Sequence, residues 1–148
     1  MKSFSFILAI LLLFSCNSKN QNFNQAISMA FPQISSSCID YVVIIPNQGC
    51  GGCITVAEEF YKDFSSCENI RFIFTNILSE KMLNMKLKIN KSNTCLDSNN
   101  NILKVLPSEA KIYPCIISLK NNKVVKITYQ SPNEEGFSII NYNKLTHE

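Results

Sequence analysis

Two cysteines separated by two glycines, Cys50-Gly51-Gly52-Cys53, are the residues best suited to chemistry in this chain. Sulfurs at this spacing can close a small disulfide ring when a helix turn sets their geometry. The first turn of a helix also carries unpaired N–H groups and the positive end of the dipole, which stabilise a thiolate on the leading cysteine. The implied chemistry is dithiol–disulfide exchange. Cys50, first in the motif and nearest the helix start, is the expected nucleophile, and Cys53 resolves the mixed disulfide. Half of a zinc site has the same spacing. There is no second C-x-x-C, however, and the single histidine, His147, is one residue from the C-terminus. No metal site and no cofactor are therefore assigned. A static structural disulfide is the other reading of the pair.

The flanking segments decide whether the pair is presented in this way. Residues 41–45, Tyr-Val-Val-Ile-Ile, form a continuous apolar run, as expected of a central strand covered on both faces. The next helix carries a stripe of Val56, Ala57, Phe60, Tyr61 and Phe64, with Cys53 and Cys67 on the same stripe. Glu58, Glu59, Lys62 and Asp63 read as its solvated side. A second strand is expected over 70–75. Ser79 is the N-cap of a helix reaching about residue 89, with Met82, Leu83 and Leu87. A short strand at 94–96 and a brief helix at 102–106, ended by Pro107, follow. Two strands, 113–119 and 123–129, are joined through Asn121-Asn122, a pair able to take the positive φ of a tight hairpin. Residues 133–144 read as a closing helix with Phe137, Ile140 and Leu145 turned inward. The order β-α-β-α-β-α-β-β-α predicts a three-layer α/β sandwich, a central mixed sheet flanked by helices with the hairpin strand at an edge.

The beginning of the chain bears on location. Lys2 is followed by an apolar run over 4–14, interrupted by Ser5, and then by Leu13-Phe14-Ser15-Cys16. The run is too short for a stable transmembrane helix, and its ending resembles a bacterial lipoprotein signal in which Cys16 is lipidated. An ordinary secretory signal or an uncleaved anchor would also export the chain. The expected organisation is a signal peptide at 1–15, a lipid-anchored tether and lead-in at 16–37, and one domain at 38–148. Within the tether, 17–24 is polar and reads as flexible, while 26–34 is a short helix or irregular lead-in. Removing the signal leaves 133 residues (148 − 15), enough for one core. Of seven cysteines, six remain after Cys16, an even number suited to an oxidising compartment. A net charge of +3 without a basic cluster excludes a nucleic-acid surface.

Strand, C-x-x-C, helix, and later an aliphatic strand entered through Pro114 together resemble the thioredoxin fold. With the inserted β-α unit and the lipoprotein signal, the layout is similar to the TlpA/ResA-like thiol-disulfide oxidoreductases, in particular the small lipoproteins of Bacteroidetes-type bacteria. The resemblance spans about residues 41–129. It implies that Pro114 is the cis-proline facing the active cysteines and that Tyr113 lines the substrate groove. It also implies an envelope oxidoreductase facing the periplasm, with exported thiol or disulfide proteins as substrates and an upstream electron donor or acceptor as partner. The buried acid of thioredoxin aligns with Ile44, so no carboxylate is expected to deprotonate Cys53. Cys115 stands where a threonine is common and is expected to be a buried thiol, with a second disulfide among Cys38, Cys67, Cys95 and Cys115 as the other reading of these cysteines. A second class of function remains open: a thioredoxin-fold binding or metallochaperone module holding a soft ion such as Cu(I) without turnover.

Overall fold

The computed structural model describes residues 20–34 and 38–145. Residues 1–15, expected to be a signal peptide, together with Cys16 and His147, lie outside the described residues. β1 (Tyr41–Pro46) is buried at all six positions, because its β-branched and aromatic side chains fit a sheet covered on both faces. β2 (Ile70–Thr75) pairs with it in parallel and β3 (Thr94–Leu96) pairs in parallel with β2. β4 (Cys115–Lys120) lies antiparallel on the other side of β1, and β5 (Lys123–Tyr129) closes that edge. The order is β3-β2-β1-β4-β5. Asn121 and Asn122 adopt φ of 52° and 59°, as the hairpin reading requires.

Alternation along β1 divides the core into two layers. Tyr41, Val43 and Ile45 pack with helices α2 (Gly51–Phe64) and α3 (Glu80–Leu87) and with Phe137, Ile140 and Leu145 near the end of the chain. Val42 and Ile44 pack with helix α1 (residues 20–30) and helix α4 (Asn101–Val105). The result is the thioredoxin-like three-layer sandwich. Its helix ends are capped locally. Ser79 accepts from the Met82 amide, and the buried Asp97 carboxylate accepts from Ile102 N at 3.1 Å and Leu103 N at 2.8 Å.

Five sequence expectations need correction. Residues 20–24 are helical rather than a flexible tether, since Phe23, Ala26 and Ile27, spaced i, i+3, i+4, are buried on the sheet. The closing helix is instead two 3₁₀ turns, Gly136–Ile139 and Tyr142–Lys144. Gly136 lies so close to the end of β5 that a Cβ there would stand 2.6 Å from Gln130 N, which holds the chain out of a regular helix. Cys67 lies beyond α2, in the turn that follows it. Val56 and Met82 are 46 % and 72 % exposed, because the buried stripes run instead through Ile54, Ala57 and Tyr61 and through Leu83 and Leu87. Glu58 is buried, where Lys86 of α3 reaches across to pair with it.

Tyr61 ties α2 to the rest of the domain. Its fully buried ring stands edge-on to Phe72 and Phe74, with centroids at 4.8 and 5.2 Å. Its hydroxyl accepts from Asn90 N at 2.8 Å and pairs with Thr94 Oγ1 at 3.2 Å. Replacing Tyr61 with Phe keeps the ring and removes both hydrogen bonds. The expected cost is about 1–2 kcal/mol of stability with an unchanged denaturant slope, read from urea unfolding of the two proteins.

Candidate redox site

β1 ends at Pro46, and three residues carry the chain to Cys50, the N-cap of α2. This loop is fixed on both sides. Toward β2, Asn47 N donates to Thr75 O at 2.8 Å, the Asn47 side chain accepts from Leu78 N, and Gln48 Nε2 reaches Asn76. Toward β4, Cys50 N donates to Ile112 O at 3.1 Å. Gly49 makes that approach possible. Its φ is +150°, and a Cβ there would lie 2.2 Å from the same carbonyl oxygen.

Cys50 and Cys53 form a disulfide with a Cα–Cα distance of 5.3 Å. Cys50 is half-buried and Cys53 is buried, so the leading cysteine is the more accessible residue of the two. Gly51 and Gly52 are exposed, and beyond their chain neighbours and the backbone of their own helix nothing lies within 4 Å of where a Cβ would stand. The outer rim of the disulfide is therefore bare backbone, open to another polypeptide. No acidic residue occupies the first turn of α2 to oppose the helix dipole at Cys50. Ile44 is fully buried in the apolar layer beside Cys115, its antiparallel partner, so that position offers Cys53 no carboxylate.

The segment before β4 differs from the expectation in one respect. The described residues contain no cis peptide bond, so Pro114 is trans. The chain is turned already by the 3₁₀ segment Glu109–Lys111, from which Tyr113 N donates back to Glu109 O at 2.9 Å, and a proline without special context prefers trans. Pro114 is buried and its carbonyl accepts from Gln130 N at 2.8 Å, while Tyr113 is half-buried. Ile112, 46 % exposed, is the residue whose backbone meets Cys50. Sequence reasoning missed it, and missed Gly49 as its counterpart. A glycine between a buried strand and a C-x-x-C was the available signal. A shallow cleft of about 350 Å³ lies between α2 and the end of β5, lined by Val56, Gln130, Glu135 and Phe137 among others.

Cys38, Cys67, Cys95 and Cys115 carry thiols. Cys115 is fully buried, as expected from the sequence, and lies across the ladder from Tyr129. Burial, and then the proximity of Cys115, push the Tyr129 hydroxyl well above the usual phenol range. Burial, with Asp97 second, also pushes the Cys95 thiol up, which makes it a poor nucleophile at neutral pH. Among the described residues no three His, Cys, Asp or Glu side chains converge to hold a metal ion, and no helix is long and apolar enough to cross a membrane.

No family model, curated protein or solved structure matches the chain. Its class therefore rests on its own geometry: a thioredoxin-like sandwich with a C-x-x-C disulfide at the start of the helix after the central strand. That combination is consistent with the thioredoxin superfamily and makes the pair a redox-capable module.

Gly49 and Gly51 should respond oppositely to alanine. Gly49→Ala forces a Cβ into the Ile112 carbonyl and should cost about 2 kcal/mol or more. Gly51→Ala adds a methyl in open space in the first helical turn and should stabilise by about 0.5 kcal/mol. Equilibrium unfolding of the two oxidised variants checks both.

Proposed function

We propose that this protein is a thiol–disulfide oxidoreductase of the bacterial envelope, similar in role to TlpA/ResA-like lipoproteins. The observation carrying this reading is the Cys50–Cys53 disulfide at the N-terminus of α2, with its less buried cysteine leading and exposed glycines between the two. Cys50 as thiolate attacks a substrate disulfide, expelling one substrate thiolate and forming a mixed disulfide. Cys53 then attacks Cys50, releasing the second substrate thiolate and restoring the intramolecular bond. Each turnover moves two electrons to the substrate, and the partner donor or acceptor resets the pair. Tyr113 and Pro114, which the resemblance places at the substrate groove, lead into β4 directly after the Ile112 carbonyl that accepts from Cys50 N.

The signal-like ending at Cys16 supports an envelope location. A lipid on that cysteine would hold the domain at a membrane, facing the periplasm, where exported proteins supply the disulfides and thiols. Replacing Cys16 with Ala should move the protein from the membrane fraction to the soluble fraction. Unchanged membrane association would remove lipid as the anchor.

Cys53→Ser should trap Cys50 in mixed disulfides that accumulate as higher bands on non-reducing gels, and Cys50→Ser should abolish both adducts and turnover. With Ile44 at the acid's position, resolution depends on spontaneous deprotonation of Cys53. Thiolate fraction rises with pH below a thiol's pKa, so turnover should increase about tenfold from pH 7 to pH 8. Adducts on the Cys50 variant would reverse the roles. A parent protein without disulfide-exchange activity would instead favour the binding-module reading.

A further inference from the structure

The pole of the sheet opposite the Cys50–Cys53 disulfide also holds two thiols. The parallel β1–β2 ladder opens with the pair Tyr41 and Ile70. Cys38 and Cys67 each stand three residues before those positions, so the register that pairs the strands brings both cysteines to the same end of the same two chains. The approach is maintained just outside the ladder. Asp40 N donates to Asn69 O at 2.9 Å, and the Asn69 side chain donates to the Asp40 carboxylate at 3.3 Å. Beyond this clamp the two cysteines line one polar cleft of about 680 Å³, together with Asp40, Asn69 and Arg71. Paired strands lie about 4.8 Å apart, the Asp40–Asn69 clamp carries the approach to within two residues of both cysteines, and a disulfide spans Cα atoms about 4.4–6.8 Å apart. Cys95 and Cys115, by contrast, occupy strands β3 and β4 and pack in the layer of α1 and α4.

We propose that Cys38 and Cys67 are a second oxidisable pair, which closes as a disulfide joining the segment before β1 to the turn after α2. Their exposures set the order of events. Cys38 is exposed, whereas Cys67 is half-buried with its thiol directed at Leu145 O, 3.6 Å away. Cys38, as thiolate, attacks a low-molecular-weight disulfide such as oxidised glutathione and expels one glutathione thiolate. Cys67, as thiolate, then attacks the Cys38 sulfur and expels the second. Two S–H bonds are lost and one S–S bond forms, while the external disulfide takes up two electrons and two protons to leave as two thiols. The Cys67–Leu145 hydrogen bond is given up in the process. The new bond would tie the two ends of the β1–α2 unit and restrict the unfolded chain, so its effect falls on stability rather than on exchange at Cys50. The pairing does not depend on the redox activity proposed for Cys50 and Cys53.

The test uses the full-length chain with Cys50→Ser and Cys53→Ser, alongside the parent. Trypsin cuts after Lys19, Lys62 and Arg71, so in this variant the peptide 20–62 contains Cys38 alone and the peptide 63–71 contains Cys67 alone. After oxidation with glutathione disulfide and alkylation, mass analysis without reductant should find these two peptides joined in most molecules. The joined species should vanish on adding Cys67→Ser. Oxidised parent should unfold about 10 °C higher than oxidised Cys38→Ser, in which Cys50–Cys53 is intact. Alkylated Cys38 and Cys67 after oxidation, or Cys38 joined to the peptide of Cys95, of Cys115 or of a second chain, would overturn the pairing. Because the mapping is read on a chain retaining both cysteines, a poorly folded Cys67→Ser variant does not weaken it.

Discussion

The approach of the Gly49–Cys50 backbone to the carbonyl of Ile112 is the constraint on which the site depends. A Cβ at position 49 would lie 2.2 Å from that oxygen, and the Cys50 amide donates to it at 3.1 Å. One hydrogen bond thereby joins the start of α2 to the chain entering β4, two segments more than sixty residues apart in sequence. The sheet makes the meeting possible, since β4 lies directly beside β1 and the loops leading to α2 and into β4 emerge at the same pole. The bond also satisfies the Cys50 amide, while the first intrahelical bond runs from Ile54 N to Cys50 O and leaves the amides of Gly51, Gly52 and Cys53 without a helical acceptor.

The chemistry follows from what this arrangement supplies and what it withholds. It supplies a helix terminus, a half-buried first cysteine and an exposed diglycine rim. It withholds a buried acid, because position 44 belongs to an apolar layer shared with Cys115. Stabilising the Cys50 thiolate favours the reduced state and raises the potential, while the burial of Cys53 works in the other direction by disfavouring its charge. The Glu58–Lys86 pair and the Tyr61 hydroxyl network stand away from this balance. They join α2 to α3 and to the β3 edge, and so keep the helix start in place.

Much of the fold was legible because the strands are written in unbroken β-branched runs and the turns in residues with one conformational use. Ser79 and the pair Asn121-Asn122 announced a cap and a hairpin that the structure contains. Periodicity alone misplaced Val56, Met82 and Glu58, since which side of a helix is buried depends on where its neighbour docks, and α3 docks over Glu58. The closing helix failed because the position of Gly136 against the end of β5 is a tertiary contact with no local signature. Of the site, the cysteines were evident from spacing, and the absence of an acid at Ile44 from the resemblance to thioredoxin. Ile112 was not, because it acts through its carbonyl, and a backbone atom leaves no mark in the residue type.

The reduction potential of the Cys50–Cys53 pair tests the central claim most directly. The protein would be equilibrated in dithiol–disulfide buffers of graded potential, alkylated, and the state of this pair read by mass. An exchange-active dithiol should titrate reversibly as a two-electron couple, with a midpoint in the range of about −120 to −270 mV occupied by catalytic pairs. A pair that stays oxidised until well below about −300 mV would be a structural disulfide, and the oxidoreductase account would be wrong.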